Sequence, residues 1–297
     1  MNPGVPAAQE PAVLCADDYA MTDGVSAAIE ALAAQGRLSA TSAMVTTRHW
    51  PGHAPRLKAL SGKIGVGLHV NLTLGQPLGP MPKLAPAGTF PSLGGLLRGV
   101  LSRPGSTAEI AAEVARQIAR FTESMGHVPD FVDGHQHVHA LPGIRTGFLD
   151  AMASTFPRGR VLVRDPADHL LAILTRRVAV TKAASVAALA AGFGCAARAA
   201  GFPTNTSFAG FSKFDAATSY ATELERFFVS PGALHLIMCH PGYVDAELRQ
   251  LDPVVERRQQ EFEAILNANW LPARIWTPGY PSTGGAVAAL LGARLAP

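Results

Sequence analysis

Short apolar runs that end in polar or titratable residues alternate along this chain with amphipathic stretches of helical period. Ala12–Ala16 (Ala-Val-Leu-Cys-Ala) reads as a buried strand that delivers Asp17 and Asp18 at its C-terminal end. Thr22-Asp23 opens a helix with Val25, Ala28, Ile29 and Leu32 on one face and Gly36 at its end. Ala40–Thr46 and Ile64–Val70 are the next two strands. His69 stands near the end of the latter, while Gly65 and Gly67 leave room there for a close backbone approach. Between them His49 and His53, flanked by Pro51 and Pro55, are assigned to a solvated loop. Residues 75–105 are rich in Gly, Pro and Leu and read as a long irregular insertion over a substrate site. Ser106 and Glu109 have capping-box spacing ahead of a helix marked by Ile110, Val114, Ile118, Phe121 and Met125.

The second half repeats the alternation. Pro129–Gly134 is a fourth strand, 144–152 a helix, and Arg160–Arg164 a fifth strand with Arg164 at its far end. Residues 168–200 form one or two Ala/Leu/Val-rich helices with basic residues interspersed. Such a segment is either buried or dimer-facing, or it is an apolar surface for a lipid or membrane. Ser207–Phe211 is a short strand or loop, 220–228 a helix, and Leu234–Cys239 a strand that ends at His240. Asp252-Pro253 caps a last long helix, and Arg274–Trp276 is the final strand. Strand–loop–helix units repeated about seven times predict parallel strands with crossover helices. The expected fold is therefore α/β: a TIM-like (β/α) barrel of about seven parallel strands, with its site at the strand C-terminal ends. It would occupy residues 12–280 as one domain, with a flexible 1–11, the insertions at 75–105 and 168–200, and a C-terminal tail at 281–297.

Composition supports a compact core. The chain has 297 residues, 48% of them hydrophobic and 16% charged. The net charge of +3 comes from scattered basic residues, with no patch of the kind nucleic-acid binding needs. Three widely spaced cysteines fit a reducing compartment, hence a cytoplasmic protein or one at the inner face of the membrane. Cys15 and Cys239, in apolar runs, read as buried small hydrophobes. The first eleven residues do not read as a signal peptide, and no apolar run is long enough for a transmembrane helix.

Titratable residues cluster where the strands end. Asp133, His135, His137 and His139 alternate two residues apart, so in an extended segment they would start on one face. The adjacent Asp17 and Asp18 face opposite ways on a strand. One can then reach a metal while the other reaches a water or a histidine. A carboxylate with two imidazoles is a common divalent-metal shell with open positions, and a neighbouring carboxylate can act as general base.

Four segments together resemble the signatures of the YdjC-like carbohydrate deacetylases, a family that includes chitooligosaccharide deacetylase. They are Ala16-Asp17-Asp18-Tyr19, Gly67-Leu68-His69, Asp133-Gly-His-Gln-His-Val-His139 and Cys239-His240-Pro241-Gly242-Tyr243. Tyr19 stands where that family usually has Phe. The stretch from Leu162-Val-Arg164 through Phe208-Ala-Gly-Phe211 resembles more particularly the hopanoid biosynthesis-associated branch, HpnK. The resemblance implies a (β/α) barrel that removes acetate from an N-acetylglucosamine-type sugar, here the headgroup of a hopanoid lipid. It implies Asp18, His69 and His135 as ligands to one divalent ion, zinc by ligand softness or magnesium as the alternative. It also implies Asp17 as base and His240 as acid. Asp133, His137, His139 and Arg164 would orient these groups or touch substrate. Competing readings are a phosphoesterase or amidohydrolase built on His135-Gln136-His137, and a non-catalytic lipid- or carbohydrate-binding protein with a structural metal.

Overall fold

The computed structural model describes residues 11–103, 105–213, 218–251 and 255–277. The predicted cap at Asp252-Pro253, residues 1–10 of the N-terminal segment and the 281–297 tail lie outside the described residues. The elements run β1 (Val13–Tyr19), α1 (Asp23–Ala34), β2 (Ala40–Ala43), α2 (Trp50–Lys58), β3 (Gly65–Val70), α3 (Leu93–Ser102), α4 (Ser106–Met125), β4 (Phe131–Gly134) and α5 (Arg145–Thr155). They continue with β5 (Leu162–Val163), α6 (Leu170–Arg176), α7 (Val180–Leu189), α8 (Phe193–Ala199), β6 (Ser207–Ala209), α9 (Tyr220–Phe227), β7 (His235–Cys239), α10 (Leu248–Leu251) and α11 (Val255–Asn267).

All seven strands are parallel, in the order β5-β4-β3-β2-β1-β7-β6. The sheet curls until its two edges meet at one bridge, Val163–Thr204. The period of two sorts each strand between two cores. Val13 and Cys15 of β1, Ala40, Phe131, Leu162, Phe208, Leu236 and Met238 form the cluster inside the curl. Leu14, Ala16, Val66, Leu68, Val132, Val163 and Ile237 face the surrounding helices. Continuing the inner rows upward gives Asp17, His69, Asp133 and Arg164, so the site is the polar top layer of the inner core.

Gly67 is where the interior is tightest. A Cβ there would lie 2.5 Å from the Phe131 ring, which accounts for the predicted close approach. Gly67→Ala is expected to destabilise the protein by about 1–3 kcal/mol through this overpacking. A urea midpoint unchanged from wild type would contradict the packing.

Several expectations are revised. The 75–105 insertion is not wholly irregular, because α3 lies within it, capped by Ser92 accepting from the Gly95 N–H. The Ser106/Glu109 capping box does not form. Gly105 takes the cap position in left-handed conformation, and the Glu109 carboxylate accepts instead from the backbone N–H groups of Lys83 and Leu84. Residues 168–200 make three short helices, broken where Arg177, Ala179 and Gly192 adopt positive φ. Arg274–Trp276 contributes one bridge, Ile275 to Ala12, rather than a strand. No single helix among the described residues is long and apolar enough to cross a membrane.

Candidate active site

A bulge at the end of β1 creates the site. Ala16 pairs with Thr41 and Tyr19 with Ala43, so three steps on β1 oppose two on β2. The extra residue is absorbed at Asp18, whose φ is 69°, a left-handed conformation that Asp tolerates better than most side chains. Regular alternation would have sent Asp17 and Asp18 to opposite faces. The bulge brings both carboxylates to the inner top layer, each fully buried.

Asp18 is the hub. Its Oδ1 lies 2.9 Å from His135 Nδ1 and 3.2 Å from His69 Nε2, and its Oδ2 accepts from Arg258 at 2.7 Å. One donor atom from each of Asp18, His69 and His135 falls within 4.8 Å of the others. On its far side His69 donates from Nδ1 to Asp133 Oδ1 at 2.6 Å, which leaves Nε2 facing Asp18 and His135. That outer carboxylate is what a metal-ligating imidazole needs to fix its tautomer. The donor set, its spacing and this support fit a divalent ion held by two imidazoles and a carboxylate.

Asp17 has a different partner. Arg164 grips it with two bonds, NH1 to Oδ2 at 2.6 Å and NH2 to Oδ1 at 2.7 Å, and extends NH2 to Asp133 Oδ2 at 2.5 Å. Ser42 Oγ lies 3.3 Å from Asp17 Oδ1 and 3.1 Å from His69 Nδ1. Arg164 is fully buried, so these bonds lie in the interior and not at the rim. Burial alone would raise the Asp17 carboxyl. The Arg164 guanidinium outweighs it and, helped by His69, holds Asp17 well below the usual carboxylate range. For Asp18 burial is likewise outweighed, by His135 and Arg258.

The histidine run does not continue as a strand. β4 ends at Gly134, and Gln136 and His137 take positive φ (53° and 57°) within a 3-10 turn spanning His135–Ala140. Alternation is lost, and the three imidazoles part. His135 reaches Asp18. His137 packs edge-on against Phe208 and Phe211, and its buried Nδ1 has no hydrogen-bond partner among the described residues. His139 turns into the outer core between Phe148 and Phe193 and donates from Nε2 to the Arg164 carbonyl at 2.8 Å. A His135/His137 ligand pair is therefore not formed. His240 follows β7, and its backbone N–H donates to Glu261 at 2.5 Å.

These groups floor an open cleft of about 390 Å³. Asp17, Asp18, His69, His135, His137, His240 and Arg258 supply its polar side. Leu93 from α3, Val186 and Lys182 from α7, Phe211 and Leu251 supply the rest, so both insertions wall the site. Ser42, Arg258 and Glu261 join the site without standing out in the sequence. Arg258 had a signal: it sits with Val255, Phe262 and Ile265 at core-facing helical spacing, where a charge calls for a buried partner.

Linkage makes the electrostatics testable. Burial holds His139, His235 and His240 at about 4 and pushes Glu261 up to about 7. Burial opposes charge on His69, but the Asp133 carboxylate raises it to about 10. Burial depresses His137 as well, so between about pH 4.5 and 6.5 the unfolded chain binds more protons at these four histidines, and Glu261 offsets one of them. Stability of the metal-free protein therefore rises with pH across that window. Above about 6.5 the folded state keeps the His69 proton that the unfolded chain has lost, so stability falls toward pH 10. Urea midpoints in chelator should peak near neutrality. A midpoint still climbing well above pH 7 would contradict the His69–Asp133 pairing.

The sequence profile of a family described as YdjC-like protein matches residues 11–272. The chain belongs to the YdjC-like family. Among its relatives, a chitooligosaccharide deacetylase of Serratia marcescens is 29% identical over 242 residues, 80% of this chain and 84% of that one. A chitooligosaccharide deacetylase of Enterobacter sp. (strain 638) is 34% identical over 134 residues, covering 44% of this chain and 51% of its own. A human carbohydrate deacetylase is 36% identical over 94 residues, 30% and 29% of the two chains. The matches to the latter two thus span about half or less of those relatives. A crystal structure from Enterococcus faecalis V583, of a protein named for cellobiose-phosphate cleavage, shares the fold. Its TM-score is 0.65 at 19% identity, over 88% of this chain and 92% of that one. All four YdjC-like signature segments lie in the matched region, and they bring Asp17, Asp18, His69, His135, His137 and His240 to the one cleft.

Proposed function

We propose that this YdjC-like protein is a metal-dependent N-deacetylase of an acetylated amino sugar, and that the sugar is the N-acetylglucosaminyl headgroup of a hopanoid-type lipid. The observation that carries the reading is the pairing of two carboxylates with different partners at one cleft floor. Asp18 joins His69 and His135 in an open three-donor set, while Asp17 is locked beside it by Arg164. A structural metal would take four protein donors, and this set offers three and a cleft.

Asp18, His69 and His135 would hold the ion; zinc suits the two imidazoles, and magnesium is the alternative. When bound, a divalent ion there supplies Lewis-acid polarisation of the acetamide carbonyl and lowers the pKa of an attacking water. The chain's own residues do the rest. Asp17, ionised throughout the physiological range, accepts the water's proton. Arg164 keeps that carboxylate oriented and charged. His240 is neutral at pH 7, so it serves as acid only after taking the proton that Asp17 releases, and it passes this proton to the leaving amine. His137 lines the cleft where the sugar would lie.

The lipid is argued from the cleft's other wall. Leu93, Val186, Phe211 and Leu251 are apolar where a free oligosaccharide would want hydrogen bonds. The segment that supplies Val186 also exposes Leu170 (61%), Leu171 (77%) and Leu174 (49%) on α6, a surface suited to peripheral contact with a bilayer. The similarity to the Serratia chitooligosaccharide deacetylase favours the second substrate, a chitooligosaccharide. Acetate release should be compared on N-acetylglucosaminyl hopanoid, chitooligosaccharide and free N-acetylglucosamine, each with zinc and with magnesium. Fastest release from the glycolipid is expected. Preference for the oligosaccharide would reject the lipid, and no acetate from any of them would reject the deacetylase.

A further inference from the structure

A second convergence of ligand-type groups lies outside the cleft. Asp23 in the first turn of α1, His49 just before α2 and His53 within α2 bring one donor atom each to within 4.8 Å of one another. His53 Nε2 is 2.7 Å and His49 Nδ1 3.2 Å from the same oxygen, Asp23 Oδ1. Donors around a tetrahedral zinc ion with bonds near 2.0 Å stand roughly 3.3 Å apart, so small shifts suffice to admit an ion.

The surroundings add two independent observations. His49 Nε2 lies 2.8 Å from Glu247 Oε2, so with Nδ1 turned to the cluster its other nitrogen already donates to a carboxylate. That arrangement fixes the tautomer of a ligating imidazole. His53 is buried, 3% exposed, with its ring edge-on to Tyr19 at 5.7 Å. Its Nδ1 has no hydrogen-bond partner among the described residues, and Glu30 Oε1 is 4.0 Å away. The ring is thus held by packing with Nε2 presented to an exposed carboxylate. Neither histidine lies in the solvated loop expected from the sequence. Pro51 and Pro55 pointed to a loop, but Pro51 is tolerated in the first turn of α2 and the helix carries His53 inward.

We propose that Asp23, His49 and His53 form a second divalent-metal site, suited to zinc and distinct from the Asp18–His69–His135 set. An ion here leaves one position to solvent and ties α1 to α2. Through His49 and Glu247 it also holds the turn that leads into α10, whose Leu251 lines the cleft. The site therefore clamps one wall of the cleft without touching its floor.

The test is zinc stoichiometry of the full chain by equilibrium dialysis after chelator stripping, on four proteins. These are the parent, Asp18→Asn, Asp23→Asn/His49→Gln, and the combination. The changes fall on the exposed Asp23 and the largely buried His49, the buried His53 is left in place, and circular dichroism checks folding. The Asp23→Asn/His49→Gln protein is expected to bind one zinc fewer than the parent. The zinc that Asp18→Asn retains is expected to vanish in the combination. Cobalt reports ligation independently: the visible absorption of cobalt-loaded Asp18→Asn protein should disappear when Asp23 and His49 are also changed. A folded Asp23→Asn/His49→Gln protein that binds as much zinc as the parent overturns the proposal. So does an Asp18→Asn protein that binds none. Failure of the cleft site alone would read differently, as an Asp18→Asn change that removes no zinc while the Asp23→Asn/His49→Gln change still does.

Discussion

Asp17→Asn is expected to leave the fold and metal loading in place and to lower kcat by at least about 10³-fold, in the range that removal of a general base produces. The substitution keeps the shape of the side chain and one acceptor for Arg164, whose NH2 still pairs with Asp133. Asp18, His69 and His135 are untouched, so metal content measured on the same preparation should match wild type. What is lost is the carboxylate that lines the cleft beside the donor set and can accept a proton there. The effect should fall on kcat rather than KM, because Asp17 is tied up by Arg164 rather than free to bind a sugar hydroxyl. Near-normal turnover by a metal-loaded Asp17→Asn protein would remove Asp17 from the chemistry.

Arg164→Met is expected to be the most destabilising single change at the site, by roughly 3–5 kcal/mol at neutral pH, as for other buried pairs that lose one partner. It leaves the buried Asp17 and Asp133 without their shared guanidinium, with His69 the remaining neighbour of opposite charge. The pH dependence follows from the sign of the shift. Without Arg164 nothing offsets the burial of Asp17 to the same degree and its folded-state pKa rises above its unfolded value, so the deficit deepens as pH climbs through that range and shrinks toward acid. Urea unfolding near pH 5 and near pH 8 should show the larger loss at the higher pH. Adding Asp17→Asn should recover part of it, because one uncompensated charge is then removed. A loss independent of pH, with no recovery in the double variant, would mean that Arg164 contributes packing rather than charge.

The barrel was legible because its signals are local and repeated. Apolar runs ending in Asp17/Asp18, His69, Arg164 and His240 mark strands whose C-terminal ends must share one face once the sheet is parallel. Period alone could not show where the backbone departs from regularity, and the site depends on two such departures. The bulge at Asp18 puts adjacent carboxylates on one side, and the positive φ of Gln136 and His137 scatters a histidine run that alternation would have aligned. Both are choices of tertiary packing over local propensity, at residues whose types do not demand them. His53 was misplaced for a related reason, since prolines that signal a loop are also compatible with a helix start. Arg164 was read at the correct strand end, but its burial between Asp17 and Asp133 depends on contacts across the barrel that one strand does not reveal.

The most direct test is acetate release by one preparation before and after metal removal. The protein would be stripped with chelator, freed of it, and assayed on the N-acetylglucosaminyl lipid with and without added zinc or magnesium. Stripped protein should release no acetate, and one of the two ions should restore release, except in protein carrying Asp18→Asn. Acetate release at the same rate by stripped protein, or full activity in Asp18→Asn, would contradict a reaction that needs an ion held by Asp18, His69 and His135.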